Sequence, residues 1–358
     1  MTTLFFSGPA LASDKAGTIP TLLESLRLEQ KLFFCGEAVP LDDPEVRESM
    51  EKELMLSLWD RDQAVLWLKR STRYLPVIEA LLSEAGLPDD LKYIALAESA
   101  LRPHVGSPKG AIGFWQFLPE TGRRYGLTIN ESIDQRRNLT ASTRAAMAYF
   151  AKLYEKFGSW SLAAAAYNMG EEGLQAEILV QDVSNFYRLY LPQETQRYLF
   201  RVLSAKLILT QPERYGFHLQ EGDYYPPTRF ATVELICPGE TSLTVVAKAA
   251  QTDFKRIKEL NPELRGHYLA AGTHTLAVPE NTPLGFQERF NKIHQEWSQQ
   301  RQKRIYIVQS GDNLSTIAEK FGVPLAAVLI WNRIDINRTL HPGDRLVIYP
   351  VESRTVRP

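Results

Sequence analysis

One stretch of this 358-residue chain, residues 87–127, constrains the fold most, because it combines helical periodicity with a carboxylate on the apolar face. Pro88 and the two aspartates after it provide a helix start, with a preset φ and acidic groups near the positive end of the helix dipole. The side chains that then recur at helical spacing are Leu91, Ile94, Ala95, Glu98 and Leu101. We therefore expect a helix that carries Glu98 at a core position.

Glu98 is a candidate general acid. A carboxylate in apolar surroundings is costly to ionise, so desolvation should raise its pKa and keep it protonated nearer to neutral pH, as a general acid requires. For a glutamate alone, a buried side chain satisfied by an arginine or a backbone amide would be the better interpretation. The segment Ser107–Gln116, SPKGAIGFWQ, reverses that preference. It supplies two glycines for close backbone approach, flat aromatic surface and an amide, the groups that hold a sugar ring.

Four motifs in a fixed order carry a family resemblance. They are Glu98-Ser99, the Ser107–Gln116 segment with Pro119-Glu120-Thr121, Ala166-Tyr167-Asn168, and Glu194-Thr195 with Tyr198. In order and spacing they resemble the soluble lytic transglycosylase domain of the goose-type lysozyme superfamily, over about residues 78–207. The membrane-bound lytic murein transglycosylase D type, in which this domain precedes LysM modules, is the most similar. Phe114, where Leu is usual, and Arg102, where Asn often precedes proline, are mild departures.

The resemblance implies a peptidoglycan lytic transglycosylase that cleaves the β-1,4 bond between N-acetylmuramic acid and N-acetylglucosamine. Glu98 would protonate the linking oxygen and then act as base on the sugar's own C6 hydroxyl, closing a 1,6-anhydro ring. One glutamate suffices for this, whereas most glycosidases need two carboxylates. Asp134, followed by Gln135-Arg136-Arg137, is better interpreted as a cap or an ion pair than as a second catalytic carboxylate.

The same resemblance implies a set of substrate-binding residues. Ser107 would orient the substrate, Gln116 and Asn168 would hydrogen-bond sugar substituents, and Tyr167 would support the reacting carboxylate or the developing charge. Glu194 and Tyr198 would lie at the rim or floor of the cleft, where the Glu194 carboxylate would accept hydrogen bonds from the saccharide or the peptide stem. Two alternatives remain open at this point: a hydrolytic, lysozyme-type muramidase, and an inactive peptidoglycan-binding scaffold.

Composition excludes several other classes. A hydrophobic fraction of 44%, a charged fraction of 23% and the length indicate a globular chain of two or three domains. The net charge of -1 gives no reason to expect a nucleic-acid partner. The two cysteines, Cys35 and Cys237, are far apart and lack a His or Cys cluster, so neither a disulfide, a metal site nor a cofactor is predicted. The sequence contains no apolar run of about eighteen residues, so no membrane-spanning helix is predicted.

The first segment, residues 1–39, carries a weak export signal. Leu4–Leu11 is a short apolar stretch, and Ala10-Leu11-Ala12 has the small-x-small form of a signal-peptidase site, although a basic region is missing. We interpret it as the tail of an export signal, with a disordered N-terminus as the alternative. No cysteine follows the site, so a lipoprotein anchor is not supported. The expected location is the bacterial cell envelope, in the periplasm.

The remaining boundaries follow from a composition shift and a repeat. We expect a helical lysozyme-like domain at 40–210, a linker at 211–229, a degenerate LysM-like module at 230–280, a spacer helix at 281–304 and a LysM module at 305–350. Sliding the chain by 71 residues superimposes Leu243, Ala247, Asn261, Gly272 and Pro279 on Leu314, Ala318, Asn332, Gly343 and Pro350. The predicted fold is therefore a mainly α catalytic domain followed by two small βααβ modules.

The second copy resembles a LysM module, whose family binds N-acetylglucosamine polymers in a groove between two loops. The lining implied by position is Gly311, Asp312, Asn313, Leu314, Trp331, Asn332 and Ile334. The alternative is that these residues only fold the module, and it is a strong one for Leu314. The first copy has Pro238-Gly239-Glu240-Thr241 in place of the Ser-Gly-Asp signature, so weaker or no binding is expected there.

Overall fold

The computed structural model of the chain describes residues 20–28, 31–302 and 304–349. The described residues form two compact units. The first contains the chain up to Ile129 and Asp134–Thr228, and the second contains Asn130–Ile133 and the chain from Arg229 onward. The predicted export signal at residues 4–12 and Pro350, the last residue of the predicted LysM module, lie outside the described residues.

Among its described residues, the first unit is mainly helical and includes a short antiparallel hairpin, β1 (Phe33–Phe34) with β2 (Glu37–Ala38). Its helices are α1 (Leu22–Leu26), α2 (Pro44–Trp59), α3 (Arg61–Glu84), α4 (Lys92–Ser99), α5 (Pro119–Arg124), α6 (Leu139–Phe157), α7 (Trp160–Met169), α8 (Glu171–Gln181) and α9 (Gln193–Thr210). Asp43 and Asn138 cap the starts of α2 and α6 through their side chains. Gly158, in the left-handed conformation, ends α6.

Helix α7 lies in the middle of this unit, and its first seven residues are buried. A carboxylate from the hairpin holds its start: Glu37 accepts hydrogen bonds from the Trp160 and Ser161 amides at 2.5 and 3.1 Å and from the Ser159 hydroxyl at 2.9 Å. An anion at this end also matches the helix dipole. Part of the predicted N-terminal segment therefore stabilises the helix that carries Tyr167.

Most of the predicted linker at 211–229 packs against the first unit. Tyr215 and Phe217 are buried in its hydrophobic core. The Tyr225 amide donates to the carbonyl of Lys69 at 2.9 Å, and the Thr72 hydroxyl donates to the Tyr225 carbonyl at 2.8 Å. Composition alone indicated a free connector, because the aromatic residues that anchor the segment carry no local periodicity.

The second unit contains the two predicted modules. In the first copy, β3 (Phe230–Cys237) pairs antiparallel with β6 (Gly272–Pro279), and the short β4 (Thr241–Ser242) pairs with β5 (Tyr268–Leu269). Helices α10 (Leu243–Ala249) and α11 (Phe254–Leu260) stand between them. In the second copy, α13 (Leu314–Lys320) and α14 (Leu325–Asn332) lie between β7 (Ile305–Ile307) and its partner β8 (Arg345–Val347). The predicted βααβ pattern is confirmed.

Helix α12 (Phe286–Gln302), predicted as a spacer, belongs to the core of the first copy. Phe286 and Phe290 are buried there with residues of α10 and the strands. The Arg289 guanidinium donates to the carbonyl of Ala249, the last residue of α10, at 3.0 Å. The apolar face of this amphipathic helix thus packs on its own module, which a sequence pattern alone does not reveal.

One asparagine has the same role in both copies. The side-chain amide of Asn261 donates to the carbonyls of Ile257 and Ala277, and its oxygen accepts from the Ala277 amide. Asn332 makes the equivalent bonds: it donates to the carbonyls of Val328 and Val347 at 2.9 Å each and accepts from the Val347 amide at 2.6 Å. Each asparagine ties its second helix to the closing strand.

Within the residues that the structure describes, no single helix is long and apolar enough to span a membrane. Helices α13 and α14 reach that length and hydropathy only when taken together, and the pair is bent by 109° at its break.

Replacing Asn332 should loosen the second copy. The Asn332→Ala substitution leaves backbone groups of α14 and β8 without partners, which costs about 1–3 kcal/mol. Hydrogen exchange followed by mass spectrometry should show faster exchange across residues 345–347. Asn337→Ala, which removes an exposed side chain hydrogen-bonded to Asp335, is the control and should leave exchange unchanged. Equal exchange in both variants would contradict the structural role of Asn332.

Candidate active site

Helix α4 ends immediately after Glu98. A 3₁₀ turn at Asp89–Leu91 precedes it, and the left-handed residues Ala100 (φ 51°) and Leu101 (φ 57°) follow it. The helix predicted through Leu101 is therefore shorter, because the chain turns back to bury Leu101 from a non-helical position. Glu98 lies in the last turn and is half-buried, so the predicted core position is corrected to the edge of the core. A carboxyl group at this edge can reach a substrate.

Among the described residues, the Glu98 carboxyl group has one direct hydrogen-bond donor, the hydroxyl of Tyr198, at 2.6 Å from Oε1. Its pKa is raised from 4.5 to about 7, chiefly by desolvation. The Tyr198 hydrogen bond and the positive charge of Arg201 lower the pKa, and the charge of Glu194 raises it. Desolvation outweighs the groups that favour the ionised form. Glu98 is therefore substantially protonated at neutral pH, the state that the sequence predicts for it.

Tyr198, Glu194 and Arg201 all lie on α9, whose first turns face the acid. Tyr198 is fully buried. The exposed Glu194 carboxylate pairs with the Arg201 guanidinium at 2.7 Å, and that guanidinium lies 5.7 Å from the centre of the Tyr198 ring. Glu194 is thus already engaged by an arginine, and its predicted role as an acceptor for the saccharide has to compete with this ion pair.

Tyr167 does not donate to the acid. Its hydroxyl donates to the carbonyl of Trp115 at 2.6 Å, and its ring stacks on Phe150 with centroids 4.5 Å apart. Burial, followed by the nearby charge of Glu98, raises the pKa of Tyr167 well above its usual value. The direct support of the reacting carboxylate predicted for Tyr167 is therefore supplied by Tyr198. The signal was present in the sequence, since Glu194, Tyr198 and Arg201 share one face of α9.

The segment Ser107–Gln116, called the glycine-rich loop from here on, holds its shape through some of its own polar groups. Gln116, at φ 49°, donates from Nε2 to the carbonyls of Val105 at 3.1 Å and Gly113 at 2.9 Å. Only the carbonyl oxygen of Gln116 is left for a sugar. Gln116 can therefore accept a hydrogen bond from a sugar substituent, but its Nε2 is already engaged. The half-buried Ser107 closes a turn, since its Oγ accepts from the Ala111 amide at 3.1 Å, but its hydroxyl hydrogen remains available to a ligand.

A buried ion pair that follows this loop in sequence holds the loop in place. Arg136 and Asp134 are almost completely buried and make two contacts of 2.8 Å, Nε to Oδ1 and Nη2 to Oδ2. Arg136 Nη1 also donates to the carbonyls of Gly110 and Phe117, at 2.8 and 3.0 Å. Burial favours a raised pKa at Asp134, but the hydrogen bonds and charge of Arg136 prevail and lower it. Asp134 is thus an ionised structural partner and not a proton donor.

Two further contacts, not predicted from the sequence, fix the loop to the helices. The hydroxyl of Ser99, next to the acid, lies 2.8 Å from the Phe114 carbonyl and 3.0 Å from that of Ala95. The Trp115 indole donates to the Thr143 hydroxyl on α6 at 2.9 Å. At the end of α7, the Asn168 side-chain oxygen accepts from the Thr195 hydroxyl at 2.9 Å. The structure therefore brings Glu98, the loop, and the ends of α7 and α9 into one connected set of contacts.

In the second module, several residues of the predicted glycan lining are used by the fold. The Asp312 carboxylate accepts from the Tyr306 hydroxyl at 2.6 Å and from the Gln309 amide at 2.8 Å. Asn313 caps α13 through Thr316, and Leu314 is buried in the module core. Gly311, at φ 91°, makes the turn between strand and helix. These contacts favour the structural interpretation of this first loop.

In the second predicted loop, too, part of the predicted lining is used by the fold. The side-chain amide of Asn332 is hydrogen-bonded to the backbone of Val328 and Val347, which favours the structural interpretation over the predicted glycan-binding role. Trp331 and Ile334 are only partly buried against the module core. Trp331 packs edge to face on Tyr349, with centroids 5.2 Å apart. Partly exposed apolar surface is what remains in this lining for contact with a sugar face.

Sequence profiles match three regions of the chain. The Transglycosylase SLT domain matches residues 76–184, the Lytic transglycosylase MltD LysM-like domain matches residues 229–295, and the LysM domain matches residues 306–348. Among curated proteins, the Membrane-bound lytic murein transglycosylase D of Escherichia coli (strain K12) is 31% identical over 332 residues, which is 88% of this chain and 72% of that protein.

Solved structures with similarity to this chain include two lytic transglycosylases. The 70 kDa soluble lytic transglycosylase SLT70 from Escherichia coli has 19% identity and a TM-score of 0.36, over 51% of this chain and 31% of that one. An inactive mutant of lytic transglycosylase Slt from Pseudomonas aeruginosa has 22% identity and a TM-score of 0.30, over 42% of this chain and 26% of that one. The chain thus spans about a third or less of the length of these two proteins.

Removing the hydrogen bond to Glu98 should shift the pH dependence of catalysis. A general acid must be protonated, so activity falls as pH rises through its pKa. Because the Tyr198 hydroxyl favours the ionised form, Tyr198→Phe should move this fall upward from about 7, by about one pH unit. Clearing of peptidoglycan suspensions between pH 5 and 9 measures it. Tyr215→Phe, at an equally buried tyrosine after the end of α9, is the control and should leave the profile in place. If the activity of Tyr198→Phe fell at the wild-type pH or at a lower pH, this would contradict Glu98 as the general acid.

Two glycines of the loop should differ sharply in their tolerance of a methyl group. A Cβ on Gly113 would lie 1.8 Å from the Arg136 carbonyl oxygen, whereas none of the described atoms lies within 4 Å of a Cβ on Gly110. Both have positive φ, so the backbone strain of about 1 kcal/mol is shared. Gly113→Ala should lower the thermal midpoint by several degrees more than Gly110→Ala. Equal midpoints would mean that the loop does not pack against Arg136.

Proposed function

Since this chain belongs to the family of the membrane-bound lytic murein transglycosylase D and is a peptidoglycan lytic transglycosylase, we propose that Glu98 serves as its general acid and then as its base. The observation that carries the proposal is the Glu98 carboxyl group itself. It is half-buried, hydrogen-bonded by one phenol and has a pKa of about 7, and the neighbouring Ser99 hydroxyl contacts a loop held in place by buried contacts.

The first step is protonation of the leaving group. Glu98 gives its proton to the oxygen that links N-acetylmuramic acid to N-acetylglucosamine, and the bond between this oxygen and the muramoyl C1 breaks. Positive charge develops at C1 while Glu98 becomes a carboxylate. That carboxylate is stabilised by the Tyr198 hydroxyl at 2.6 Å and by the charge of Arg201.

The second step reverses the role of Glu98. The carboxylate takes the proton of the muramoyl C6 hydroxyl, and O6 attacks C1 to close the 1,6-anhydro ring. Glu98 regains its proton, and no water is consumed. A pKa near neutrality suits a group that must both give and take a proton at the same pH. Asp134 is held ionised by Arg136 and has no part in either step.

Substrate contacts follow from the polar groups that the fold leaves free. Ser107 offers a hydroxyl hydrogen, Gln116 a carbonyl oxygen and Asn168 its amide NH₂ group. Tyr167 fixes the loop through the Trp115 carbonyl, which keeps the aromatic segment in place for the sugar. We assign Ser107, Gln116 and Asn168 to glycan binding, Tyr167 to holding the loop and Tyr198 to the support of Glu98. Glu194 would contribute by holding Arg201.

The proposed working location is the cell envelope, where murein glycan strands are the partner. The second module would add affinity for these strands through the partly exposed Trp331 and Ile334. The first module lacks the Ser-Gly-Asp signature, and we propose no sugar binding for it.

The products identify both the reaction and the acid. Mass spectrometry of fragments released from purified peptidoglycan should show 1,6-anhydro-N-acetylmuramic acid ends, one water lighter than reducing ends. Glu98→Gln should lower their rate of release by about 10²–10⁴-fold. Glu84→Gln, an exposed glutamate on α3 whose side chain is 65% accessible, is the matched control and should release fragments at the wild-type rate. Release by Glu98→Gln at the wild-type rate would refute the assignment, and reducing ends would show that water attacks C1.

A further inference from the structure

We propose that Thr195 is a positioning residue: its hydroxyl fixes the side-chain amide of Asn168 so that the Asn168 NH₂ group is presented to the glycan as a donor. The inference rests on the proposed role of Asn168 as a substrate contact. It adds a residue to that role and assigns a direction to the hydrogen bond, which must run from Asn168 to an acceptor oxygen of the sugar.

The geometry links Thr195 to the site on the same helix face as Tyr198. The two residues are three positions apart in the first turns of α9, so their side chains project in a similar direction. The Tyr198 hydroxyl donates to Glu98 at 2.6 Å, and the Thr195 hydroxyl donates to Asn168 Oδ1 at 2.9 Å. One helix face thus serves both the acid and the amide at the end of α7.

Burial determines which way the Asn168 amide points. Thr195 is only 2% exposed, so its hydroxyl hydrogen needs an acceptor inside the protein, and a buried donor without one costs free energy. Asn168 Oδ1 is the acceptor that the hydroxyl reaches. An inverted amide would face the Thr195 hydroxyl with its own donors and leave this hydrogen without that acceptor. With Oδ1 engaged, the NH₂ group of Asn168, which among the described residues donates to no protein acceptor, is available for the substrate.

Gln116 provides an internal comparison. Its Nε2 is consumed by the Val105 and Gly113 carbonyls, so it presents only a carbonyl oxygen. Asn168 has the opposite arrangement, with the oxygen engaged and the nitrogen free. The two amides therefore offer opposite hydrogen-bonding groups, and each is oriented by contacts inside the protein. An amide oriented before binding loses less rotational freedom when the glycan arrives.

The test uses steady-state kinetics on soluble glycan fragments with Thr195→Val, which keeps the shape and removes the hydroxyl, and Thr195→Ser, which keeps the hydroxyl. We expect kcat/KM to fall about tenfold in Thr195→Val, mainly through KM, and to recover to within about twofold in Thr195→Ser. The pH at which activity falls should not move in either variant. Thr195→Val should have no further effect when Asn168 is already alanine, because the positioned group is then absent.

A third variant tests the direction of the hydrogen bond. Asn168→Asp keeps an acceptor for Thr195 but replaces the presented donor by a second acceptor, so kcat/KM at pH 7 should fall at least tenfold while thermal stability is retained. Wild-type kinetics in this variant would overturn the proposal. So would an equal effect of Thr195→Val in the Asn168 and Asn168→Ala backgrounds, or failure of Thr195→Ser to recover activity. Anhydro products and their loss in Glu98→Gln do not depend on Thr195, so failure here leaves the proposed function standing.

Discussion

The buried pair of Asp134 and Arg136 is the interaction on which the candidate site depends. Arg136 satisfies both oxygens of Asp134 and two carbonyls of the glycine-rich loop at distances of 2.8–3.0 Å. Its own backbone oxygen lies where a side chain on Gly113 would have to stand. Removal of one partner from such a pair leaves an uncompensated buried charge, a loss of about 3–5 kcal/mol. The side chains of Asp134 and Arg136, which are distant from Glu98 in sequence, thus determine where the loop lies relative to Glu98.

Glu98 itself depends on a balance between opposing terms. Desolvation favours the protonated form, while one hydrogen bond and the charge of Arg201 favour the carboxylate, and the result is a pKa of about 7. A fully buried carboxyl group would be protonated but unable to reach a glycan, and a fully exposed one would be ionised at neutral pH. The end of α4 meets both needs, because the left-handed Ala100 and Leu101 terminate the helix at Ser99, one residue beyond Glu98.

Periodicity and resemblance predicted much of this architecture. The mainly helical first domain and the two βααβ modules appear as expected, since each depends on local spacing or on an internal repeat. The contacts that depend on tertiary structure were not predictable. Nothing in the spacing of Arg136 indicates that it holds the loop, and the side chain of Gln116 looks like a ligand until its nitrogen is found to be engaged. Asn332 illustrates the same limit, because its repeat at Asn261 reflects a shared structural bond.

The most direct test is a titration of the Glu98 carboxyl group. Carbon-13 NMR of protein labelled at the glutamate side-chain carboxyl carbons, with the Glu98 signal identified by its absence in Glu98→Gln, follows protonation without reference to turnover. The account predicts a midpoint at a pH of about 7, moved upward when Tyr198 is replaced by Phe. A midpoint near the ordinary glutamate value of 4.5 would show that the site does not hold a protonated acid, and the mechanism built on Glu98 would fail.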